Sequence, residues 1–562
     1  MEETLKTRIQ QALAGLGIET ATEAILLEYP ADMAHGDYST NIAMVLAKKI
    51  GKNPKELAGE IVNAINLTPA LSWLGEGGIQ IAGPGFINFY MKRSFFADQL
   101  ASATKENWGT TGSFSGKKIL VEHSSPNLFK PFHIGHLMNN TIGESIVRLA
   151  RASGATVTTM SFPSDISLGV AKAIFILLEK GTTVDEATPV SLLGDAYVEG
   201  VKRYDEDETV HARVKEIADN LYAGNDTPEL QLFTLCKKIN MEYFVGVTTK
   251  LGSHFDSYVY ESEAGVTGKE LVVSNTPAVF TESEGAVVYI PADDAKLHTA
   301  VFLNSQGNPT YEAKDLGLLS IKFEREHPDT SIFITDGQQV SHFAVVLDAA
   351  RHITPEWAEK SLHRYHGRMS FKGQKMSSRL GGVPLVEDIV GAVVEEVKEK
   401  NPDVDIATAQ TIALAAIKYT ILKSQAGKNI NFDPDTSLSF EGDSGPYLQY
   451  TAVRAGSLIK KAADAGIAPA VTGREVAGAE ILEKYITRFP GVVELSQSEW
   501  TPHYLVTYLT ELAQAFNSWY GQGKIIDEDV DATSARLLVV DAVRNTLTRG
   551  LWMLGIEVPE RM

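Results

Sequence analysis

The run Ser124-Ser125-Pro126-Asn127-Leu128-Phe129-Lys130-Pro131-Phe132-His133-Ile134-Gly135-His136 constrains the fold of this chain more than any other stretch. Upstream, Lys118-Ile119-Leu120-Val121-Glu122 reads as a buried strand. Downstream, Ile134, Leu137, Met138, Ile142, Ile146 and Leu149 recur at helical spacing, and Gly154 supplies a stop. A strand, a turn and a helix N-terminus form an anion site, because unpaired N–H groups and the helix dipole favour negative charge. Two imidazoles there can donate hydrogen bonds to phosphate oxygens, and Gly135 would let a flat base approach the backbone. A histidine at a helix start is often only a cap. The strand–turn–helix context favours the other reading, a nucleotide triphosphate site.

At 562 residues the chain exceeds one core, and about 150 residues per domain predicts three or four domains. Residues 1–108 read as an α+β module, with helical patterns over 3–15, 39–50 and 54–66 and strand patterns at 78–82 and 86–89. Gly109 to Gly116 is a polar linker. From 117 the chain alternates strand 118–123, helix 133–152, strand 155–162 and helix 168–180, the start of a parallel βαβ sheet. Residues 185–300 read as an insertion. The sheet resumes at Ser331–Thr335, a helix over 341–352 and a strand near 362–371. From Pro384 the patterns are helical to the end. The expected fold is therefore α/β, a split Rossmann-like parallel sheet at 109–383. A helical connection follows at 384–430, and an all-α domain at 431–562.

Hydrophobic residues make up 44% and charged residues 22%, as in soluble globular proteins, and no apolar run reaches membrane-spanning length. The N-terminus, Met1-Glu2-Glu3-Thr4-Leu5-Lys6, lacks the features of a signal peptide. Cys236 is the single cysteine, which excludes an internal disulfide and a cysteine-cluster zinc site and predicts a reducing cytoplasm, while the lack of a long apolar run predicts no membrane partner. Net charge is −20, so a polyanionic partner would need local basic patches such as Lys48, Lys49, Lys52 and Lys55, or Arg454, Lys460 and Lys461.

A second loop, Phe371-Lys372-Gly373-Gln374-Lys375-Met376-Ser377-Ser378-Arg379-Leu380-Gly381-Gly382, carries cations and hydroxyls between glycines. It reads either as an exposed basic turn or as a loop that closes over a triphosphate. Its place after the last strand of the split sheet favours the second reading.

With His133–His136 and Lys375–Arg379 standing for two signature sequences, the chain resembles the class I aminoacyl-tRNA synthetases. More narrowly, it resembles the arginyl-tRNA synthetase family over essentially its whole length. The matching segments are Ala34–Tyr38, Ala82–Asn88, Ser124–Asn127, Pro309–Asp315, Glu441–Tyr450 and Leu554–Met562. The resemblance implies ATP-dependent activation of L-arginine to arginyl-adenylate and transfer to the 3′-terminal ribose of tRNA(Arg). It implies ATP as a substrate, Mg2+ carried by ATP, no protein-bound zinc and a monomeric enzyme.

By resemblance, His133, Gly135 and His136 bind ATP, together with Gly367 and Met369 of the strand before the second loop and with Lys375, Met376, Ser377 and Arg379. The usual second lysine of that loop is Ser378 here. Lys130 is expected to take its place, which makes Lys130, His133, His136 and Lys375 the catalytic set. A guanidinium is planar and permanently charged, and carboxylates with a flat aromatic face hold it well. Mapped by motif, Glu122, Tyr311 and Asp315 supply those elements, while Ser125, Asn127 and Gln339 take the α-amino and carboxylate end. His342, close to Gln339, either faces the site or has a structural role. The helices from about 430 resemble an anticodon-binding bundle, with Tyr447, Gln449, Tyr450, Arg454, Trp519, Tyr520, Arg544 and Met562 as candidate contacts. Most of the aromatics there suit a core equally well.

Three other readings define the alternatives. They are a class I synthetase for another amino acid, a small-substrate nucleotidyltransferase, and a tRNA-binding paralogue without catalysis.

Overall fold

The computed structural model describes residues 2–30, 32–66, 73–292, 295–372 and 384–562. Near the N-terminus, β1 (Tyr38–Thr40), β2 (Leu74–Ala82) and β3 (Phe86–Met91) form an antiparallel sheet in the order β1-β3-β2. Helices Glu2–Gly15, Ile42–Ile50 and Pro54–Asn66 contribute Leu5, Ile9, Leu46, Leu57 and Ile61 to one core with Ile87 and Phe89 of β3. The helix expected from residue 39 starts only at Ile42. Tyr38 and Thr40 are buried on one face and Ser39 less so, a period-two pattern that pairs with β3 instead.

The second sheet is wholly parallel. Its strands are β4 (Lys118–Glu122), β5 (Thr156–Ser161) and β6 (Ser257–Tyr258). A small antiparallel sheet follows, made of β7 (Thr281–Ser283), β8 (Ala286–Tyr289) and β9 (Ala300–Leu303). The chain then returns to the parallel sheet through β10 (Thr330–Asp336) and β11 (Ser361–His366), giving the order β11-β10-β4-β5-β6. Helix Ile134–Ala152 follows β4, and Ile146 and Val147 share a core with Ile119, Val121, Ile332 and Ile334. Each of these strand residues is at most 5% exposed, and burial of such a side chain stabilises the fold by about 1.5–3 kcal/mol. Because β4 leads to β5 on one side while β10 lies on the other, the winding direction reverses between β4 and β10. The carboxyl ends of those two strands open a crevice, where ligands bind in sheets of this kind.

Two expectations are corrected here. The insertion read at 185–300 is not separate from the sheet, since β6 lies within it as the edge strand; a two-residue strand leaves no periodic signal. The single strand expected near 362–371 is two. β11 ends at His366, and β12 (Met369–Phe371) pairs in parallel with β13 (Ile430–Phe432), so the region after Pro384 is not purely helical. Gly367 makes the break, for a Cβ there would lie 2.4 Å from the Lys428 carbonyl oxygen.

The chain divides into two compact units. One holds Met1–Trp108 with Arg454–Gly491 and Glu511–Leu547, and the other holds Gly109–Val453, Val492–Thr510 and Thr548–Met562.

Candidate active site

The turn between β4 and the Ile134–Ala152 helix is tied down by polar side chains. Ser124, at φ 55°, donates its backbone N–H to Asn139 Oδ1 at 2.7 Å, and Asn139 donates its amide to the Ile334 carbonyl of β10 at 2.6 Å. The Phe129 N–H, in a residue with φ 65°, donates to Asn240 Oδ1 at 3.0 Å. Two non-glycine residues thus hold left-handed backbone because side chains from other elements complete their hydrogen bonds.

His133 caps the helix. The Gly135 N–H donates to His133 Nδ1 at 3.1 Å, and the His133 N–H donates to His136 Nδ1 at 3.1 Å, a reciprocal capping box. The rings stack at 3.8 Å between centroids, with Phe132 on the far side of His136 at 4.7 Å. Gly135 leaves room for this fold-back, since a Cβ there would stand 3.1 Å from His133 Cε1 and the ring would have to shift. A backbone N–H can only donate, so both Nδ1 atoms carry lone pairs and both protons sit on Nε2. Burial, with Lys130 nearby, lowers the pKa of His133. Burial, then His133 and Lys130, lowers that of His136 further. Two neutral rings therefore present paired Nε2–H donors at the helix start. The Lys130 ammonium lies 4.7 Å from the centre of the Tyr197 ring.

Pro384 to Val386 are bonded to the same turn: Ile134 N–H donates to the Pro384 carbonyl at 3.0 Å and Val386 N–H to that of Phe132 at 2.8 Å. Lys375, Met376, Ser377 and Arg379 lie outside the described residues. On the preceding strand, the Arg368 carbonyl and the Lys372 N–H bond β13, so by alternation the backbone groups of Met369 point to the opposite edge.

A small cavity lies at the end of β4, lined by Glu122, Asp315, Lys322, Phe333 and Phe343 among others. Glu122, 8% exposed, pairs with the buried Lys322 ammonium, and its other oxygen lies 3.5 Å from Ser125 Oγ. Ser125 Oγ also accepts from the Phe162 N–H at 3.1 Å. Asn127 is exposed beside Ser164, with which it forms an isolated bridge. Helix Tyr311–Glu326 carries Asp315, whose Oδ2 meets His342 Nε2 at 2.6 Å; His342 Nδ1 lies 3.5 Å from Glu312. Burial alone would lower the His342 pKa, but Asp315 and Glu312 outweigh it and raise the imidazole to about 9. Tyr311 is 63% exposed at the helix start, with the Lys314 ammonium 5.4 Å from its ring centre. Gln339 is exposed at the end of the short turn Gly337–Gln339 after β10.

Glu122, Ser125, Asp315 and His342 thus gather about the ends of β4 and β10, while Asn127, Tyr311 and Gln339 are exposed. Sequence reasoning missed Lys322. Its spacing of seven from Asp315 puts both on one helix face, the one signal available. In the C-terminal part, Tyr447 and Trp519 are buried, and the wholly buried Gln449 donates to the Glu557 carbonyl at 2.6 Å.

Residues 99–433 match the family described as tRNA synthetases class I (R), catalytic domain. Residues 448–562 match the DALR anticodon binding domain, and 3–91 the arginyl tRNA synthetase N terminal domain. The arginine–tRNA ligase of Shewanella baltica is 30% identical, covering 100% of this chain and 99% of the relative. That of Alkaliphilus metalliredigens is 28% identical with the same coverage. The solved Thermus thermophilus arginyl-tRNA synthetase has a TM-score of 0.82 at 26% identity over 100% of both chains.

Proposed function

The chain belongs to the arginyl-tRNA synthetase family, and on that premise we propose how its residues divide the work of an arginine–tRNA ligase. The first step joins arginine to the α-phosphorus of ATP: the amino acid carboxylate attacks in line and pyrophosphate leaves. Such a step asks the protein for positioning and for stabilisation of developing charge. The observation that carries the reading is the pair of neutral Nε2–H donors on His133 and His136. They stand at the start of the helix that follows the central strand, whose carboxyl end is Glu122. Those donors take phosphate oxygens, and Lys130 supplies the cation that Ser378 does not. Lys375 and Arg379 add charge from the second loop, where Met376 and Ser377 also meet ATP. Gly135 and the strand at Gly367 and Met369 receive the adenine.

Asp315 and Glu122 hold the arginine side chain with Tyr311, and Ser125, Asn127 and Gln339 hold its backbone end. Mg2+ enters with ATP as part of the substrate. The DALR domain supports tRNA(Arg) as the acceptor of the second step. We infer that the enzyme works as a monomer in the cytoplasm, which its single cysteine suits.

The test is ATP–pyrophosphate exchange with arginine, run with and without tRNA. Arginine-dependent exchange is expected, and Asp315→Asn should raise the arginine KM at least roughly fivefold. An unchanged KM rejects the assignment of Asp315, and exchange driven by another amino acid rejects the substrate.

A further inference from the structure

Each carboxylate of the arginine pocket already faces a cation belonging to the protein. Lys322 holds Glu122, and the His342 ring stands between Asp315 and Glu312. The contacts of His342 are unequal, 2.6 Å from Nε2 to Asp315 and 3.5 Å from Nδ1 to Glu312. A carboxylate can only accept, so the 2.6 Å contact puts a proton on Nε2, and the Glu312 carboxylate at 3.5 Å favours a second on Nδ1. Three carboxylates against Lys322 and a charged His342 leave the pocket with one net negative charge. An arriving guanidinium brings a second cation to Asp315, which the charged His342 ring already engages.

We propose that His342 is a positioning residue for arginine, fixing Asp315 through Nε2–H and giving up its second proton as the guanidinium binds. This rests on the reading that Asp315 holds the guanidinium. With Oδ2 engaged by His342, Asp315 presents Oδ1 to the substrate. The departing proton leaves Nδ1, the nitrogen with the longer contact, and passes to bulk buffer. One N–H bond breaks, the ring becomes neutral, and the Nε2–H contact to Asp315 stays. The charge lost from His342 is replaced by that of the guanidinium, so the pocket keeps its one net negative charge.

The surroundings support a single proton. Glu312 and Asp315 face the ring from the helix Tyr311–Glu326, and Phe343 stands edge-on at 5.0 Å on its own helix. His363 of β11 is the other titratable neighbour; burial, with the His342 charge next in weight, pushes it down to about 4, so it is neutral. With its own pKa at about 9, His342 is charged at pH 8 in the empty pocket. Binding that releases its proton must tighten as pH rises towards that value, by at most about tenfold per pH unit.

Calorimetric titration of arginine into the full-length enzyme at pH 8, in phosphate and in Tris, counts the protons released. Roughly 0.5–1 proton per arginine is expected for the unaltered chain, and near zero for His342→Gln. The α-ammonium of arginine titrates alike in both proteins, so the difference belongs to His342. The glutamine amide keeps a donor for Asp315 and should hold the arginine KM within about threefold, whereas His342→Ala should raise it about tenfold. Equal proton counts in the unaltered protein and His342→Gln overturn the proposal, even if Asp315→Asn weakens binding. Arginine affinity unchanged by Asp315→Asn overturns the underlying reading instead.

Discussion

Lys130 stands at a cation–π distance from Tyr197, and its charge reaches both His133 and His136. An ammonium–ring contact of this kind is worth about 0.5–1 kcal/mol, so a phosphate oxygen can outbid it at little cost. That makes Lys130 a cation held ready beside the histidine donors rather than one locked in an ion pair. Lys322 is the contrast, buried and committed to Glu122. The two lysines look alike as letters; their environments separate a movable charge from a fixed one. Lys130→Ala should slow arginine-dependent ATP–pyrophosphate exchange about 100-fold in kcat, and Arg379→Ala less than about tenfold. Equal and small losses in both variants would show that Ser378 has no substitute at Lys130.

The joint between β4 and the helix Ile134–Ala152 depends on one close approach. A Cβ on Gly143 would lie 2.3 Å from His123 Cγ, and the His123 ring is fully buried with Phe255 at 4.8 Å. Gly143→Ala should therefore cost about 2–3 kcal/mol in urea unfolding, and adding His123→Ala should return part of it. Burial also drives the His123 pKa down to about 3 from its ordinary 6.5. The unfolded chain takes up that proton first, so the contribution is full above about pH 6.5 and declines as pH falls towards 3. At pH 5 the loss relative to pH 7 is about 2 kcal/mol, and His123→Phe should remove it. A pH dependence unchanged in His123→Phe would place the acid sensitivity elsewhere.

At this scale much was legible. The strand–turn–helix around His133 emerges from spacing alone, because a five-residue apolar strand and a helix of five turns carry strong periods. β6 and β13 do not, being two and three residues long and defined by partners far along the chain. Glu122 and Asp315 of the arginine pocket came from motif matching, and Glu312 did not. Their pairing with Lys322 and His342 could not, since no local rule links Glu122 to a residue 200 positions later.

The −20 net charge hides how one compact unit is assembled from distant segments. Arg93, from the N-terminal part, reaches Glu480 at 2.7 Å, Glu483 at 3.0 Å and the Val476 carbonyl, while Lys484 meets Asp37 at 2.7 Å. Asn545 donates to the Ala103 carbonyl at 2.7 Å, and the Arg488 guanidinium lies 4.9 Å from the Tyr29 ring centre. The N-terminal core was legible as helices and strands with their own apolar faces. Its union with Arg454–Gly491 and Glu511–Leu547 was not, because ion pairs and single amides across nearly 400 residues leave no pattern in sequence. Glu483 is 2% exposed, so Arg93→Ala would strand a buried carboxylate. Removing one partner of such a pair costs about 3 kcal/mol, most of it the desolvation left uncompensated. Arg93→Ala should lower urea stability by that amount, read by tryptophan fluorescence, and Arg93→Ala/Glu483→Gln should recover more than half. The arginine KM should stay within about twofold in both variants, since Glu122 and Asp315 belong to the other unit. A single variant as stable as the unaltered chain would mean that the Arg93 network holds nothing together.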